Sequence, residues 1–324
     1  MPATRDFDIV VVGELNGDLL LRGDVTPVFG QVEKLIDDAT LTLGSSSGIF
    51  ACGAASLGLR VAFIGKVGDD VFGRFLKSEL NAKGIDTTGL VMDPAIKTGL
   101  TVIFSHGTTK GGSSGAGSGA GDDRALLTYP GSIAALRFAE VDQALLARAR
   151  HLHMGSYFML TELRPDVPAF FDLAHRLGLT VSIDTNYDPT EQWDGGLAEA
   201  LKRADVFLPN ETELCAVARL ADPAAALESM AGSVPTVAVK LGARGGLAQR
   251  GEERAQAAPL PVKVIDTTGA GDTFDGGFLY GYLAGWPLGR ALRLACVCGS
   301  LSTRTTGGTT GQPSLAEALT YLNE

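Results

Sequence analysis

The sequence predicts an α/β protein: a doubly wound, mostly parallel central sheet with helices on both faces, plus a small β-sheet lid. Three observations predict it. Short β-branched runs alternate with longer helix-like segments along most of the 324 residues, the pattern that builds a parallel sheet covered on both sides. Between 97 and 130 that rhythm breaks into two strand-like runs joined by a glycine- and serine-rich tract. With 45% hydrophobic and 20% charged residues, the chain has the composition of an ordinary globular protein and ample material for one large core. One domain spanning 1–324 with an inserted lid is the expected organisation.

In chain order, strands are expected at Asp8 to Val12, Arg60 to Ile64, His151 to Met154, Thr180 to Ile183, Asp205 to Leu208 and Thr236 to Lys240. Helices are expected at Asp70 to Ala82, Pro165 to Leu177, Ala270 to Ala284 and Ser314 to Leu322, the last opened by a Ser314/Glu317 capping box. Leu100 to Ser105 and Ala125 to Tyr129, joined across the 111–121 tract, read as a hairpin with a long loop. A hairpin is no crossover, so it projects from the main sheet together with Leu19 to Leu21 and Thr40 to Leu43. The resulting lid is drawn from about 14–45 and 97–130. The tract matches GxGxxA at 115–120, but no strand leads into it and no helix follows it.

Charge and cysteines narrow the partners. The formal net charge is −10 with no basic run, which argues against nucleic acid or an anionic membrane. No segment reaches membrane-spanning length, and the start of the chain lacks a signal-peptide apolar stretch. Cys52, Cys215, Cys296 and Cys298 form no CxxC pair and read as reduced core residues of a cytoplasmic protein. His151 and His153 share one face of a strand and are assigned no role.

Chemistry concentrates at Val264 to Phe274, an apolar run that reaches small residues and then opens a helix. Phe274, Phe278 and Tyr282 give that helix a buried face. The amides of Gly269, Ala270 and Gly271 stand unpaired at its N-terminus, where small residues admit an anion and the dipole favours negative charge. Asp272 lies in the same first turn, where the dipole is expected to keep it ionised and ready to accept a proton. A base and an anion cradle on one rigid element suit phosphoryl transfer; the plainer alternative is a capping aspartate after a tight turn. Earlier, Gly13 to Asp18 follows the first strand, where ligands of open α/β sheets bind. Asp18 there can accept two hydrogen bonds from a vicinal diol, with Asn16 adding a donor and an acceptor, although an Asx turn explains the pair equally well. The first strand is not followed by GxGxxG, and GxxxxGK[ST] is absent, which removes a Rossmann oxidoreductase and a P-loop kinase.

Asp266-Thr267-Thr268-Gly269-Ala270-Gly271-Asp272 resembles the DTxGAGD motif of the PfkB, or ribokinase-like, carbohydrate kinases. Further landmarks follow in that family's order over nearly the whole chain. Gly44 and Ser45 stand at a GGxxxN segment in which Ile49 replaces the usual asparagine, and Gly65 to Gly73 resembles GxVGxDxxG. Asp184 to Asn186 resembles DxN, Asn210 to Glu213 resembles NxxE, and Leu241 to Gly245, after Lys240, resembles LGxxG. The resemblance implies an ATP-dependent kinase acting on a hydroxyl of a sugar or sugar-like molecule. Asp272 would deprotonate that hydroxyl, and Gly269, Ala270 and Gly271 would hold the migrating phosphoryl group. It places Asn16, Asp18, Gly44 and Ser45 at the substrate and Asn186, Asn210, Glu213, Lys240, Gly242 and Gly245 near ATP. Glu213 would organise Mg2+ through water, though Asn210 and Glu213 also read as a simple helix start. Asp266 and Thr268 would hold a monovalent cation, with K+ the candidate, and the 303–311 loop would close over adenine. Ile49 weakens a ribose assignment. A neutral sugar is favoured over a carboxylated one, with a nucleoside kinase or a catalytically silent sensor as alternatives and a lid-to-lid homodimer as the expected assembly.

Overall fold

The computed structural model describes residues 5–106 and 124–322. In chain order its strands are β1 (Phe7–Val12), β2 (Asn16–Gly23), β3 (Asp38–Leu43), β4 (Val61–Gly68), β5 (Asp86–Asp93), β6 (Gly99–His106), β7 (Arg124–Tyr129), β8 (Ala149–Met154), β9 (Thr180–Ile183), β10 (Val206–Phe207), β11 (Thr236–Lys240), β12 (Gly246–Arg250) and β13 (Glu253–Ala257). Nine of them make one sheet in the order β13-β12-β11-β10-β9-β8-β1-β4-β5. Pairing is parallel except at β11–β12 and β12–β13.

The alternation along β1 explains why the sheet is covered on both faces. Val10 and Val12 join Phe170, Phe171 and Leu146 in one core, whereas Ile9 and Val11 join Phe50, Phe63 and Phe278 in the other. Helix Val167–Arg176 covers the first face, and helices Ser46–Ser56, Ala270–Leu283 and Leu288–Ser302 pack over the second. Each expected strand is present within a few residues. The β12–β13 hairpin and the Leu288–Ser302 helix were not anticipated; the hairpin carries Gln249, Arg250, Glu253 and Arg254, so it lacks a strand-like apolar alternation.

One capping expectation is half met. Ser314 accepts the Glu317 N–H at 3.2 Å, but the Glu317 carboxylate turns to Arg304 at 2.6 Å instead of closing the box. A charged partner across the fold outcompetes the local backbone donor.

The second sheet has the order β3-β2-β6-β7. Its β6–β7 hairpin pairs Leu100 with Tyr129 and Phe104 with Ala125, while β2 and β6 run parallel. The glycine tract at 111–121 expected as its loop lies outside the described residues. Three residues separate β1 from β2, and β6 begins shortly after β5, so this sheet grows from the carboxyl ends of the large one. Asp70 roots it there, accepting the Thr98 N–H and hydroxyl at 2.8 Å each while capping its own helix through Gly73 N. Among the described residues no helix is long and apolar enough to cross a membrane.

Candidate active site

Because β1, β8, β9, β10 and β11 are parallel, the segments leaving them meet along one edge of the sheet. Glu14, Ser156, Asp184, Asn210 and Lys240 all stand at that edge. Helix Ala270–Leu283 points its N-terminus into the same region, since Gly271 lies against Lys240: a Cβ built on it would be 3.4 Å from Lys240 Cδ.

The start of that helix carries the anion cradle. Gly269 has φ 72, and a Cβ there would lie 2.7 Å from Ile49 Cγ2 and 2.9 Å from the Gly308 carbonyl, so no other residue fits without movement. The Ala270 N–H is spent on the Thr267 carbonyl at 3.2 Å, whereas the N–H groups of Gly271 and Asp272 have no acceptor among the described residues. Of the three amides expected from sequence, the turn itself therefore consumes the middle one, and those of Gly269 and Gly271 have no acceptor among the described residues. Ile49, 4% exposed, packs on Gly269 and Gly308, a backing role that the usual asparagine position did not suggest.

Asp272 is 8% exposed, and burial pushes its carboxyl up to about 7, with Asp184 adding to the rise and Ser46 and Lys240 opposing it. Burial thus opposes the helix dipole, which favours the ionised form. A base that titrates near neutrality is nonetheless well matched to taking a proton.

Lys240 centres a buried charge cluster. Its Nζ donates to Asp184 Oδ2 at 2.8 Å and to Asp275 Oδ2 at 3.0 Å. Burial works against the Lys240 charge, but the two carboxylates outweigh it and hold the ammonium firmly protonated. Asp184 is also buried, yet Lys240 draws it below the usual carboxylate range; Asp275 stays well above it, mainly from burial. Glu213 sits at about 7, raised by burial and then by Asp184.

Glu213 forms a reciprocal cap with Asn210, accepting Asn210 N–H at 2.8 Å while Asn210 Oδ1 accepts Glu213 N–H at 2.9 Å. A cavity of about 390 Å³ opens beside these groups, walled by Lys240, Gly242, Gly245, Val262, Gly271 and Phe274, with others. It takes in the expected Lys240, Gly242, Gly245, Ala270 and Gly271 and leaves Asn186, Asn210 and Glu213 outside its wall.

On the other side, Asn16 Nδ2 donates to Asp18 Oδ1 at 3.1 Å, and burial lifts Asp18 to about 6 against that hydrogen bond. Gly44 is required here: a Cβ would fall 2.3 Å from Asp18 Oδ1 and 2.8 Å from Asn16 Nδ2. Ser45 is different. With φ 69 it caps helix Ser46–Ser56, accepting Gly48 N–H at 2.9 Å and donating to the Glu14 carbonyl, so its hydroxyl serves the backbone.

Asp266 accepts Thr268 N–H at 3.0 Å, Thr268 Oγ1 at 2.7 Å and Gly307 N–H at 3.0 Å, tying the motif to the 303–311 loop. Asn186 is gripped at both ends of its amide, by Ser46 and by Ser156. Sequence reasoning missed Glu14, Ser46 and Asp275. A carboxylate between Phe274 and Phe278 on an apolar helix was the available signal for Asp275; Ser46 gave none.

Transfer of a phosphoryl group to an alcohol is the chemistry that a near-neutral base beside open amides suits, which places the protein in the class of small-molecule kinases. The chain belongs to the pfkB family of carbohydrate kinases, whose model matches residues 6–315. It is an enzyme of the phosphotransferase type with an alcohol acceptor, a sugar kinase in the broad sense. It is 31% identical over 238 residues to an uncharacterized sugar kinase of Archaeoglobus fulgidus, covering 72% of this chain and 87% of that one. An ATP-dependent ribose-1-phosphate kinase of Halopiger xanaduensis is 29% identical over 320 residues, 98% of each chain. An E. coli chain solved in complex with ATP and Mg2+ shares the fold, with a TM-score of 0.80 and 24% identity over 98% of this chain and 99% of that one.

Proposed function

We propose that the protein transfers the γ-phosphoryl group of Mg-ATP to a hydroxyl of a neutral sugar, with Asp272 as general base. One observation carries this reading: Asp272 and the unsatisfied N–H groups of Gly271 and Asp272 share a single helical turn whose Ala270 and Gly271 line an apolar cavity. Base and charge stabiliser are thus fixed relative to each other before any ligand arrives.

The residues fit the groups they would hold. The cavity's Val262, Val264, Leu260 and Phe274 suit a flat base, and the glycine turn at 242 and 245 allows close backbone approach. Mg2+, which keeps several waters and binds substrate phosphates, would be organised near Glu213 and Asn210. When bound, Mg-ATP supplies the phosphoryl group and the metal neutralises its charge. Asp272 takes the acceptor hydroxyl's proton, the Gly271 and Asp272 amides receive the charge of the transferring group, and Lys240 lends its ammonium beside them. Asn16 and Asp18 orient the sugar over Gly44. Asp266 and Thr268 would seat K+ at the closing 303–311 loop.

The second sheet, from about 14–45 and 97–130, acts as a lid over this edge. Leu127 and Tyr129, which share one face of its outer strand, are 65% and 52% exposed, a face through which two lids would pair in a homodimer. An ATP-consumption screen across neutral sugars, sugar acids and nucleosides, with Mg2+ and with or without K+, tests the reading. Turnover on a neutral sugar is expected; turnover on nucleosides alone would replace the substrate, and none on any acceptor would replace the enzyme by a sensor.

A further inference from the structure

Helix Ser46–Ser56 and helix Ala270–Leu283 cross closely because glycines meet there. A Cβ built on Gly276 would lie 3.3 Å from Ala54 N, and one built on Gly53 would lie 3.7 Å from Thr273 Cα. The first helix belongs to the sugar side: Ser45 caps it, and Gly44 just before it lies against Asp18. The second carries Asp272 and the open amides. Transfer between the two sides depends on the offset of these helices, and the side chain that bridges their crossing comes from neither of them.

That side chain is Gln312, which follows the 303–311 loop. Its Nε2 donates to the Ile49 carbonyl at 2.8 Å and to Thr273 Oγ1 at 3.2 Å. Thr273, 1% exposed, donates its own hydroxyl proton to the Gly269 carbonyl at 2.8 Å, at the residue that opens the anion-receiving turn. Three hydrogen bonds thus run from the backbone of the sugar-side helix to that turn. The loop grips the turn from its other flank as well, where the Gly307 N–H meets Asp266 at 3.0 Å and Gly308 packs on Ile49 and Gly269.

Counting donors fixes the orientation of the amide. The Thr273 proton is spent on Gly269, so Thr273 Oγ1 can only accept from Gln312, and the two N–H groups of the amide meet two acceptors. Turning the amide over would set Oε1 against the Ile49 carbonyl, oxygen against oxygen. Oε1 is buried and has no hydrogen-bond partner among the described residues, a cost that an apolar side chain of the same length would avoid. What Gln312 adds is its pair of donors. Gly53 belongs to the same arrangement: a Cβ there would come 3.0 Å from Gln312 Nε2, so a glycine stands in the middle of a helix where alanine is intrinsically favoured.

We propose that Gln312 is a positioning residue that holds the anion-receiving turn and Asp272 at a fixed offset from the sugar-side helix. The inference rests on the phosphotransfer reading of that turn. Misplacing reacting groups by about 1 Å costs up to about 100-fold in rate, while the contacts each ligand makes on its own side stay intact.

The test uses the full-length protein with Mg-ATP and a sugar that supports turnover. Gln312→Leu keeps the bulk and removes both donors, so kcat is expected to fall by about 10–100-fold, while the calorimetric Kd for ATP stays within about threefold. Thr273→Val is expected to give a similar fall and Thr273→Ser, which keeps the hydroxyl, to recover most of it. The double variant Gln312→Leu/Thr273→Val should lose no more than about twofold beyond the worse single one, because both break the same contact. Gly53→Ala separates positioning from stability: the melting temperature holds or rises, yet kcat drops by about 3–10-fold as the new Cβ displaces the amide. Independent, multiplying losses in the double variant, or parental kcat in Gly53→Ala, overturn the proposal. One readout needs no substrate. Hydrogen exchange at the Thr273 amide, bonded to the Gly269 carbonyl at 2.9 Å, is expected to quicken by about tenfold in Gln312→Leu, and an unchanged rate also overturns the proposal. Retained turnover in Asp272→Asn would instead remove the base assignment, and the exchange rate would still decide whether Gln312 holds the turn.

Discussion

Two buried lysines lie toward the carboxyl ends of parallel strands in the same sheet, and each binds two carboxylates. Lys66 on β4 meets Asp93 at 2.9 Å and Glu140 at 2.7 Å, and Lys240 on β11 meets Asp184 at 2.8 Å and Asp275 at 3.0 Å. Distances do not separate them; water does. Around Lys66 the carboxylates are 24% and 21% exposed and both fall below their ordinary range, Asp93 chiefly through the Lys66 hydrogen bond and Glu140 because its partners outweigh burial. Around Lys240 they are 4% and 1% exposed, Asp275 is driven well up by burial, and Glu213 nearby rises to about 7. One cluster has settled its charges at the root of the second sheet. The other gathers more buried carboxyls than one ammonium can pair, so that Asp275 and Glu213 hold their protons well above the ordinary range beside the open amides of Gly271 and Asp272, and unsettled titration of this kind marks working sites.

The largest expected effect breaks the Lys240 side at its working end. Asp272→Asn should lower kcat by about 10²–10⁴-fold while calorimetry still records ATP binding. An unchanged kcat would mean that charge surplus here has no catalytic meaning.

Exchanging the lysines comes next. Lys240→Met strands two buried carboxylates and should cost about 3–5 kcal/mol of stability, with kcat/KM for ATP falling by about 10–100-fold. Lys66→Met should lower the melting temperature and leave kcat/KM of the surviving folded enzyme within about threefold of the parent. Equal activity losses would erase the distinction between the clusters.

The pH dependence sharpens it further. In the ligand-free enzyme Asp272 titrates at about 7, so kcat/KM should climb as pH rises through 7 and then level off. Stability runs the other way. The folded state holds the Asp272 proton more tightly than the unfolded chain between the ordinary carboxyl value of 3.8 and about 7, so folding loses free energy as pH rises across that window. Asp272→Asn removes the loss and should stabilise the protein at pH 8 by about 1–3 kcal/mol, with no gain at pH 4, by urea denaturation.

The smallest effect is a pair of neutralisations. Asp275→Asn should leave the melting temperature unchanged or slightly raised above pH 7, because it removes a carboxyl that burial disfavours as an anion. Glu140→Gln removes a settled partner of Lys66 and should lower it. The reverse order would mean that the surplus charge at Lys240 stabilises the fold.

Much of this was legible beforehand. The strand–helix alternation located six strands of the main sheet, and the break at 97–130 located the second one, because period and punctuation are local properties of the chain. Asp272, Gly269 and Gly44 were legible for the same reason: a short string brings its own geometry. The β12–β13 hairpin was not, since its side chains are polar and neighbours across the sheet rather than its own pattern hold it in place. Ser45 was legible as a position and misleading as a role, because its hydroxyl caps a helix.

By itself the sequence determined the alternating layers and the glycine turn that opens the helix at Ala270, each encoded within a short stretch of consecutive residues. Only the tertiary structure decided that Asp272 is driven toward neutrality, that Asp184 and Asp275 share one lysine, and that Ser46 reaches Asn186. Those outcomes depend on exclusion of water and on contacts between residues as far as 140 positions apart, and a carboxyl's proton affinity follows its surroundings in space rather than its neighbours along the chain.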